Sequence, residues 1–262
     1  MTTFLDESGF DPFGRDPDME AKLRPALDAL VDKVFKTVVE GREHIPATGR
    51  ALLVANHGGA LPWDALVLHV ALSRGGRSVR PLVEDPVMNA PFLGTLMTRL
   101  GCVRASQSNA TRLLQRDEVA AVFPEGMQGL GKLYRHRHKL QRFGRGGFVR
   151  LALKTGAPIL PVAIVGAEDT APLLGKIELF FRGGRGLPYL PVTPLFPLLG
   201  PLGVLPLPAR WRIRVGEPID VAAQLNGAVD DIAIGELAAT IRTRVQTGVD
   251  ELVEARGKQV WL

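Results

Sequence analysis

Leu23, Leu27, Leu30, Val31, Val34, Phe35 and Val38 recur at three- and four-residue spacings, with Arg24, Asp28, Asp32, Lys33 and Lys36 mostly elsewhere and Gly41 beyond them. This pattern predicts an amphipathic helix stopped at Gly41, within an N-terminal segment of residues 1–40. Such a stripe suits packing on its own domain and lying on a membrane equally well. Short apolar runs follow: Ala51 to Ala55, Val79 to Val83, Val119 to Phe123, Pro158 to Val165, Ile177 to Phe181 and Trp211 to Val215. Several are too continuously apolar for a half-exposed sheet, which predicts strands covered on both faces. Helices are predicted between them, at Asp64 to Ser73, Ala90 to Arg99, Asn109 to Gln115 and Gly146 to Thr155, with a last one from about Ile232 to Ala255. Strands alternating with helices imply an α/β fold, a mostly parallel central sheet flanked by helices, here read as a single domain over residues 1–262.

The stretch from Gly186 to Ala209 has no charged residue but contains Pro188, Pro191, Pro194, Pro197, Pro201, Pro206 and Pro208. Prolines at this density remove helix hydrogen bonds, and backbone groups left unpaired are not tolerated against lipid tails. A membrane span is therefore excluded. The stretch is expected to be an apolar irregular loop, bracketed by Arg182, Arg185, Arg210 and Arg212, that packs over the sheet or dips into a bilayer interface, with lipid contact favoured.

Composition narrows the setting. The hydrophobic fraction of 46% is enough for a sizeable core. A single cysteine, Cys102, excludes an internal disulfide and fits a reducing compartment. Met1 to Asp11 carries Asp6, Glu7 and Asp11 and lacks a basic run followed by an apolar core, so a cytoplasmic protein is expected. The net charge of +5 is concentrated in Lys132, Arg135, Arg137, Lys139, Arg142, Arg145 and Arg150, with no acid between them. A run of this kind meets phosphate or an anionic membrane surface, or else is simply a solvated basic face. Aromatic residues make up only 6%, and no nucleic-acid module surrounds the run, so no nucleic-acid partner is expected.

The densest chemistry follows the first apolar strand, in Asn56-His57-Gly58-Gly59-Ala60-Leu61-Pro62-Trp63-Asp64. On a continuous helix His57 and Asp64 would lie about 10 Å apart, too far to bond. Gly58, Gly59 and Pro62 instead predict a loop that folds back, letting Asp64 hold one ring nitrogen of His57 while the other acts as a general base. Spacing alone also fits a His and an Asp that merely cap adjoining elements. At the end of another strand, Phe123-Pro124-Glu125-Gly126 sets Glu125 in a turn, where it would bond a hydroxylated acceptor or position Arg104, or serve as an ordinary turn acid. His136 and His138 lack partner ligands, so no metal is assigned, and His44, His69 and Lys154 read as structural.

Together these residues resemble the glycerolipid acyltransferase superfamily. Its blocks appear in order as Asn56, His57 and Asp64; Gly101 and Arg104; Phe123 to Gly126; and Pro158-Ile159-Leu160-Pro161-Val162, continuing to Gly166. The resemblance covers roughly residues 38 to 218. It implies transfer of a fatty acyl group from an acyl-CoA or acyl carrier protein thioester to a hydroxyl of a lipid acceptor, with no bound cofactor and no acyl-enzyme intermediate. The residues agree: no Gly-x-Ser-x-Gly elbow occurs, and Cys102 stands in an apolar context. His57 and Asp64 would be catalytic, Arg104, Glu125, Gly126, Lys132 and Arg145 would bind substrate, and the amides of Gly58 or Gly126 would hold the oxyanion.

Two departures point toward the monoacylglycerol and diacylglycerol acyltransferase-like branch. Six residues separate His57 from Asp64, where phosphate-accepting members usually have four. Met127-Gln128-Gly129 stands where those members often carry Thr-Arg, so the natural phosphate clamp is absent and a neutral acceptor is favoured over a lysophospholipid. Arg104, Lys132 and Arg145 remain as candidate phosphate partners, for an acceptor or for CoA. The resemblance implies an enzyme working peripherally on the cytoplasmic face of a membrane, with a non-catalytic lipid-binding protein of the same fold as the alternative.

Overall fold

In strand β2 (Ala51–Ala55), Leu52 and Val54 join one buried cluster while Ala51, Leu53 and Ala55 join another, so alternate side chains feed two separate cores. The computed structural model describes residues 6, 9–74, 76–178 and 189–261. Its main sheet has seven strands in the order β1-β9-β6-β2-β5-β3-β4, comprising β1 (Val38–Glu40), β9 (Arg212–Val215), β6 (Ile159–Val165), β2, β5 (Val119–Val122), β3 (Val79–Val83) and β4 (Val103–Arg104). Strands β6, β2, β5, β3 and β4 are mutually parallel, β9 is antiparallel to β6, and β1 runs parallel to β9. Burial on both faces explains the continuous apolar runs, as expected of a mostly parallel sheet.

One face carries α1 (Pro17–Ala29), the π-helical turn Leu30–Val34 and α2 (Trp63–Leu72), which bury Val31, Phe35, Val67 and Leu68 against Leu53, Leu160 and Trp211. The other carries α5 (Gln107–Gln115), α7 (Gly147–Thr155) and the long α10 (Asp231–Arg256), which bury Leu113, Val149, Ile241 and Val245 against Leu52, Ile159 and Val165. The short helices α3 (Asp85–Met88), α4 (Leu93–Arg99), α6 (Met127–Leu130), α8 (Ala167–Thr170) and α9 (Val221–Leu225) fill the connections.

The N-terminal stripe packs on its own domain, but its helix is shorter than the periodicity predicts. The helical path ends at Val34, Lys36 turns back with φ 42, and Val38 enters edge strand β1. Gly41 does not end the helix; its φ of 72 opens a 3-10 turn where an added Cβ would lie 2.0 Å from the Val215 carbonyl oxygen. The predicted Ala90 to Arg99 helix begins only at Leu93. The predicted Ile177 to Phe181 strand is β7 (Gly175–Glu178), the rest lying outside the described residues together with Arg182, Arg185 and Gly186 to Pro188. The proline-rich stretch is not wholly irregular: it opens as β8 (Tyr189–Val192), paired antiparallel with β7, and contains a 3-10 turn over Gly200–Val204. Leu198, Leu199, Leu202 and Leu205 on it are exposed. No described helix is long and apolar enough to cross a membrane.

Candidate active site

Because β2, β3, β5 and β6 are parallel, their carboxyl ends share one edge of the sheet, where open α/β folds gather their sites. His57 follows β2, Glu84 follows β3, Glu125 follows β5 and Glu168 follows β6. Asn56 secures the first of these loops: its Nδ2 donates to the Ile164 carbonyl at 2.9 Å and its Oδ1 accepts from the Ile164 amide at 2.7 Å. The side chain thereby extends the β2–β6 ladder by one step and fixes where His57 begins.

The loop then folds back. Asp64, wholly buried in the first turn of α2, brings Oδ2 to 2.5 Å from His57 Nδ1. The same oxygen accepts from the Gly58 amide at 3.0 Å, and Oδ1 accepts from the Ala65 amide at 2.8 Å. Two backbone amides and the imidazole thus share the Asp64 carboxylate at the start of α2. Burial opposes a charge on His57, but the adjacent Asp64, with Glu125 and Glu84 further off, raises its pKa above the ordinary 6.5. Phe123 lies against the imidazole, with ring centroids 4.6 Å apart. Nδ1 is thus committed to Asp64, and Nε2 has no hydrogen-bond partner among the described residues.

Glu125 is held by the protein's own backbone. It is buried, its Oε1 accepts from the His57 amide at 2.8 Å and its Oε2 from the Gln141 amide at 2.6 Å. It braces the backbone of the His57 loop, and Arg104 pairs elsewhere. Lys132, expected to receive a phosphate, is buried between Glu125 and Glu168 at 3.5 and 3.1 Å, and its Nζ donates to the His57 carbonyl. Arg104 is exposed at the end of β4 and bonded to Asp85 and Asn89. The two amides expected to hold an oxyanion are already engaged, Gly58 with Asp64 and Gly126 with the Phe123 carbonyl at 2.9 Å. Gly126 matters for another reason: at φ 55 it passes under Glu84, whose Oε1 would lie 2.6 Å from an added Cβ.

His57 lines a cavity of about 390 Å³ whose walls include Leu82, Val122, Leu130, Phe143 and Phe148. Besides His57, its charged lining residues are Glu84 and Arg145. Glu84 escaped the sequence reading. Burial raises its pKa against the pull of His57, and its Oε2 has no hydrogen-bond partner among the described residues. The signal was there, a carboxylate immediately after an apolar strand, the same placement that singles out Glu125. Burial pushes the Cys102 thiol up to about 12, which removes it as a nucleophile. His44 and His69 are bound through Nδ1 to the Val215 and Val79 carbonyls.

Comparison with known proteins adds to this geometry. Residues 36–165 match the family model described as Acyltransferase. An uncharacterized protein of Mycobacterium tuberculosis is 44% identical over 256 residues, spanning 96% of this chain and 70% of that protein. A Homo sapiens protein named as a DGAT1/2-independent enzyme synthesizing storage lipids is 24% identical over 81% of this chain and 60% of its own length. The crystal structure of the 1-acyl-sn-glycerophosphate (LPA) acyltransferase PlsC from Thermotoga maritima aligns with a TM-score of 0.56 at 20% identity, covering 90% of this chain and 82% of that one, so the fold is shared.

Proposed function

The chain belongs to the glycerolipid acyltransferase superfamily, and from that premise we propose that His57 and Asp64 transfer a fatty acyl group from acyl-CoA to the hydroxyl of a neutral glyceride at a membrane surface. The observation that carries this reading is the 2.5 Å contact between His57 Nδ1 and Asp64 Oδ2 in the wall of an apolar cavity. Nε2 takes the proton of the acceptor hydroxyl as its oxygen attacks the thioester carbonyl. A C–O bond forms, the C–S bond breaks, and the imidazolium returns its proton to the departing thiolate. Asp64 fixes the tautomer and stabilises the transient imidazolium.

Electrostatics favour a neutral acceptor. Of the three basic residues considered for a phosphate, Lys132 is consumed by Glu125 and Glu168 and Arg104 by Asp85, while Glu84 places a carboxyl group in the same cavity as Arg145. An acceptor phosphate beside Glu84 is disfavoured unless that group is protonated. A surface location is supported by Leu198, Leu199, Leu202 and Leu205, exposed on a stretch whose Leu207 amide bonds the Thr170 carbonyl in α8. The reading is tested by offering the protein a long-chain acyl-CoA with monoacylglycerol, diacylglycerol, lysophosphatidic acid or another lysophospholipid separately and identifying the lipid product. Product from a neutral glyceride is expected; product from lysophosphatidic acid alone would overturn the acceptor assignment.

A further inference from the structure

Beside the catalytic cavity lies a second groove of about 590 Å³, between the Arg142–Arg145 turn and α10. Four arginines line it, Arg142, Arg145, Arg150 and Arg242, against one carboxylate, Asp231. Arg150 is bonded to Asp231, and Arg242 is anchored on the Leu140 and Gln141 carbonyls. Arg142 and Arg145 are exposed and have no ion-pair partner among the described residues. Phe143, Gly144 and Arg145 line both hollows, so the groove adjoins the cavity that holds His57.

Its floor is made of small residues. Gly235, Ala238 and Ala239 share one face of α10 and open toward the arginines. Glycine is a poor residue inside a helix, and packing does not call for it here: a Cβ at Gly235 would meet nothing within 4 Å. A side chain at that position would project into the groove, and its absence keeps the groove open.

Resting on the thioester chemistry proposed above, we infer that this groove holds the nucleotide phosphates of the acyl donor, the adenosine 3′,5′-bisphosphate end of CoA, while the pantetheine arm passes the Phe143–Arg145 turn toward His57. Planar guanidinium groups bind phosphate bidentately and stack on a purine, and the flat floor of α10 leaves room for the ring. The groove's size falls within the roughly 300–1,000 Å³ of small-molecule sites. A concave pocket of this scale suits a nucleotide better than the surface of an acidic carrier protein.

The test titrates the full chain with adenosine 3′,5′-bisphosphate by calorimetry and measures transfer from one acyl chain carried either on CoA or on pantetheine. The wild-type protein is expected to bind the bisphosphate. The Arg142→Gln/Arg145→Gln variant should bind it on the order of tenfold more weakly or worse, about one charge-assisted bond. Gly235→Leu should weaken it comparably while melting no lower than the wild type, since it improves the helix and removes no charge. In both variants KM for acyl-CoA should rise, and in Gly235→Leu, which lies outside the cavity lined by His57, kinetics with acyl-pantetheine should match the wild type. The inference is overturned if the wild type does not bind the bisphosphate, if both variants bind it as the wild type does, or if the arginine variant loses only lysophosphatidic acid. Bisphosphate binding without transfer from any thioester would sink the proposed function and leave the groove standing; transfer from acyl-CoA without bisphosphate binding would do the reverse.

Discussion

At the scale of single residues, the proposed chemistry turns on the His57 imidazole, where three nearby carboxyl groups outweigh burial. Burial opposes its charge, but Asp64, Glu125 and Glu84 together raise its pKa above 6.5. A general base works only when deprotonated, so kcat/KM should climb with pH along an acidic limb centred above 6.5, the ordinary value for a histidine. Asp64→Asn removes the nearest negative charge, so the limb should move to lower pH while the plateau falls by about 10²–10⁴. A pH profile of the variant that coincides with the wild-type limb would contradict this coupling. The fold-back of Asp64 was legible because Gly58, Gly59 and Pro62 exclude a continuous helix. The role of Glu125 was not, since its burial and its bonds to the His57 and Gln141 amides depend on chain segments distant in sequence. The surroundings of Lys132 were not legible for the same reason: a basic run looks solvated until two carboxylates, Glu125 and Glu168, are found beside one member of it.

At the scale of elements, buried ionic and polar contacts hold the site loops and the N-terminal helix in place. Glu125→Ala would leave the His57 and Gln141 amides unpaired and Lys132 with one carboxylate fewer, a loss on the order of 3–5 kcal/mol measured by denaturant unfolding. A loss below about 1 kcal/mol would mean that the brace is dispensable. Glu20 ties α1 to α2 through His69 at 3.4 Å and to the segment before α1 through Arg15 at 2.6 Å. Burial opposes its ionisation, but His69 and Arg15 outweigh burial and hold its carboxyl at about 2 against an ordinary 4.5. A depressed carboxylate stabilises the native state above its unfolded pKa, and this contribution is lost as pH falls from about 4.5 to about 2. Glu20→Gln should therefore lower stability at neutral pH and flatten the acid dependence in that window, which urea titrations at several pH values would measure. Long strands and helices were legible from periodicity and unbroken apolar runs. The short strands β1 and β4 were not, and Val38 was assigned to the helical stripe because its spacing from Val34 suits a helix although the chain reverses at Lys36.

At the scale of the whole molecule, chemistry, donor and membrane fall, on the proposed reading, to different surfaces of one chain. The cavity lined by His57 lies at the carboxyl edge of the parallel strands, the arginine groove adjoins it, and the exposed leucines sit on a stretch tied through the Leu207 amide to the Thr170 carbonyl in α8. Leu198→Asp with Leu202→Asp removes two exposed apolar anchors, so association with vesicles should weaken about tenfold or more while thermal stability stays within a few degrees of the wild type. Undiminished sedimentation with vesicles would make the leucines bystanders. The layered architecture was legible from the alternation of apolar runs and helical stripes. Arg80 was not: it sits inside buried strand β3 and is matched by Asp11, Glu118 and the Gly101 carbonyl, from three separate segments. Charge pairing across such distances along the chain leaves no local pattern.

The most direct measurement is ester formation from a long-chain acyl-CoA and a neutral glyceride by the wild type and by His57→Ala, with folding of both verified by circular dichroism. The dyad predicts a wild-type product and a decrease of at least about 10³ in the folded variant. Equal product from the two proteins would remove His57 from the reaction and, with it, the account of how this site works.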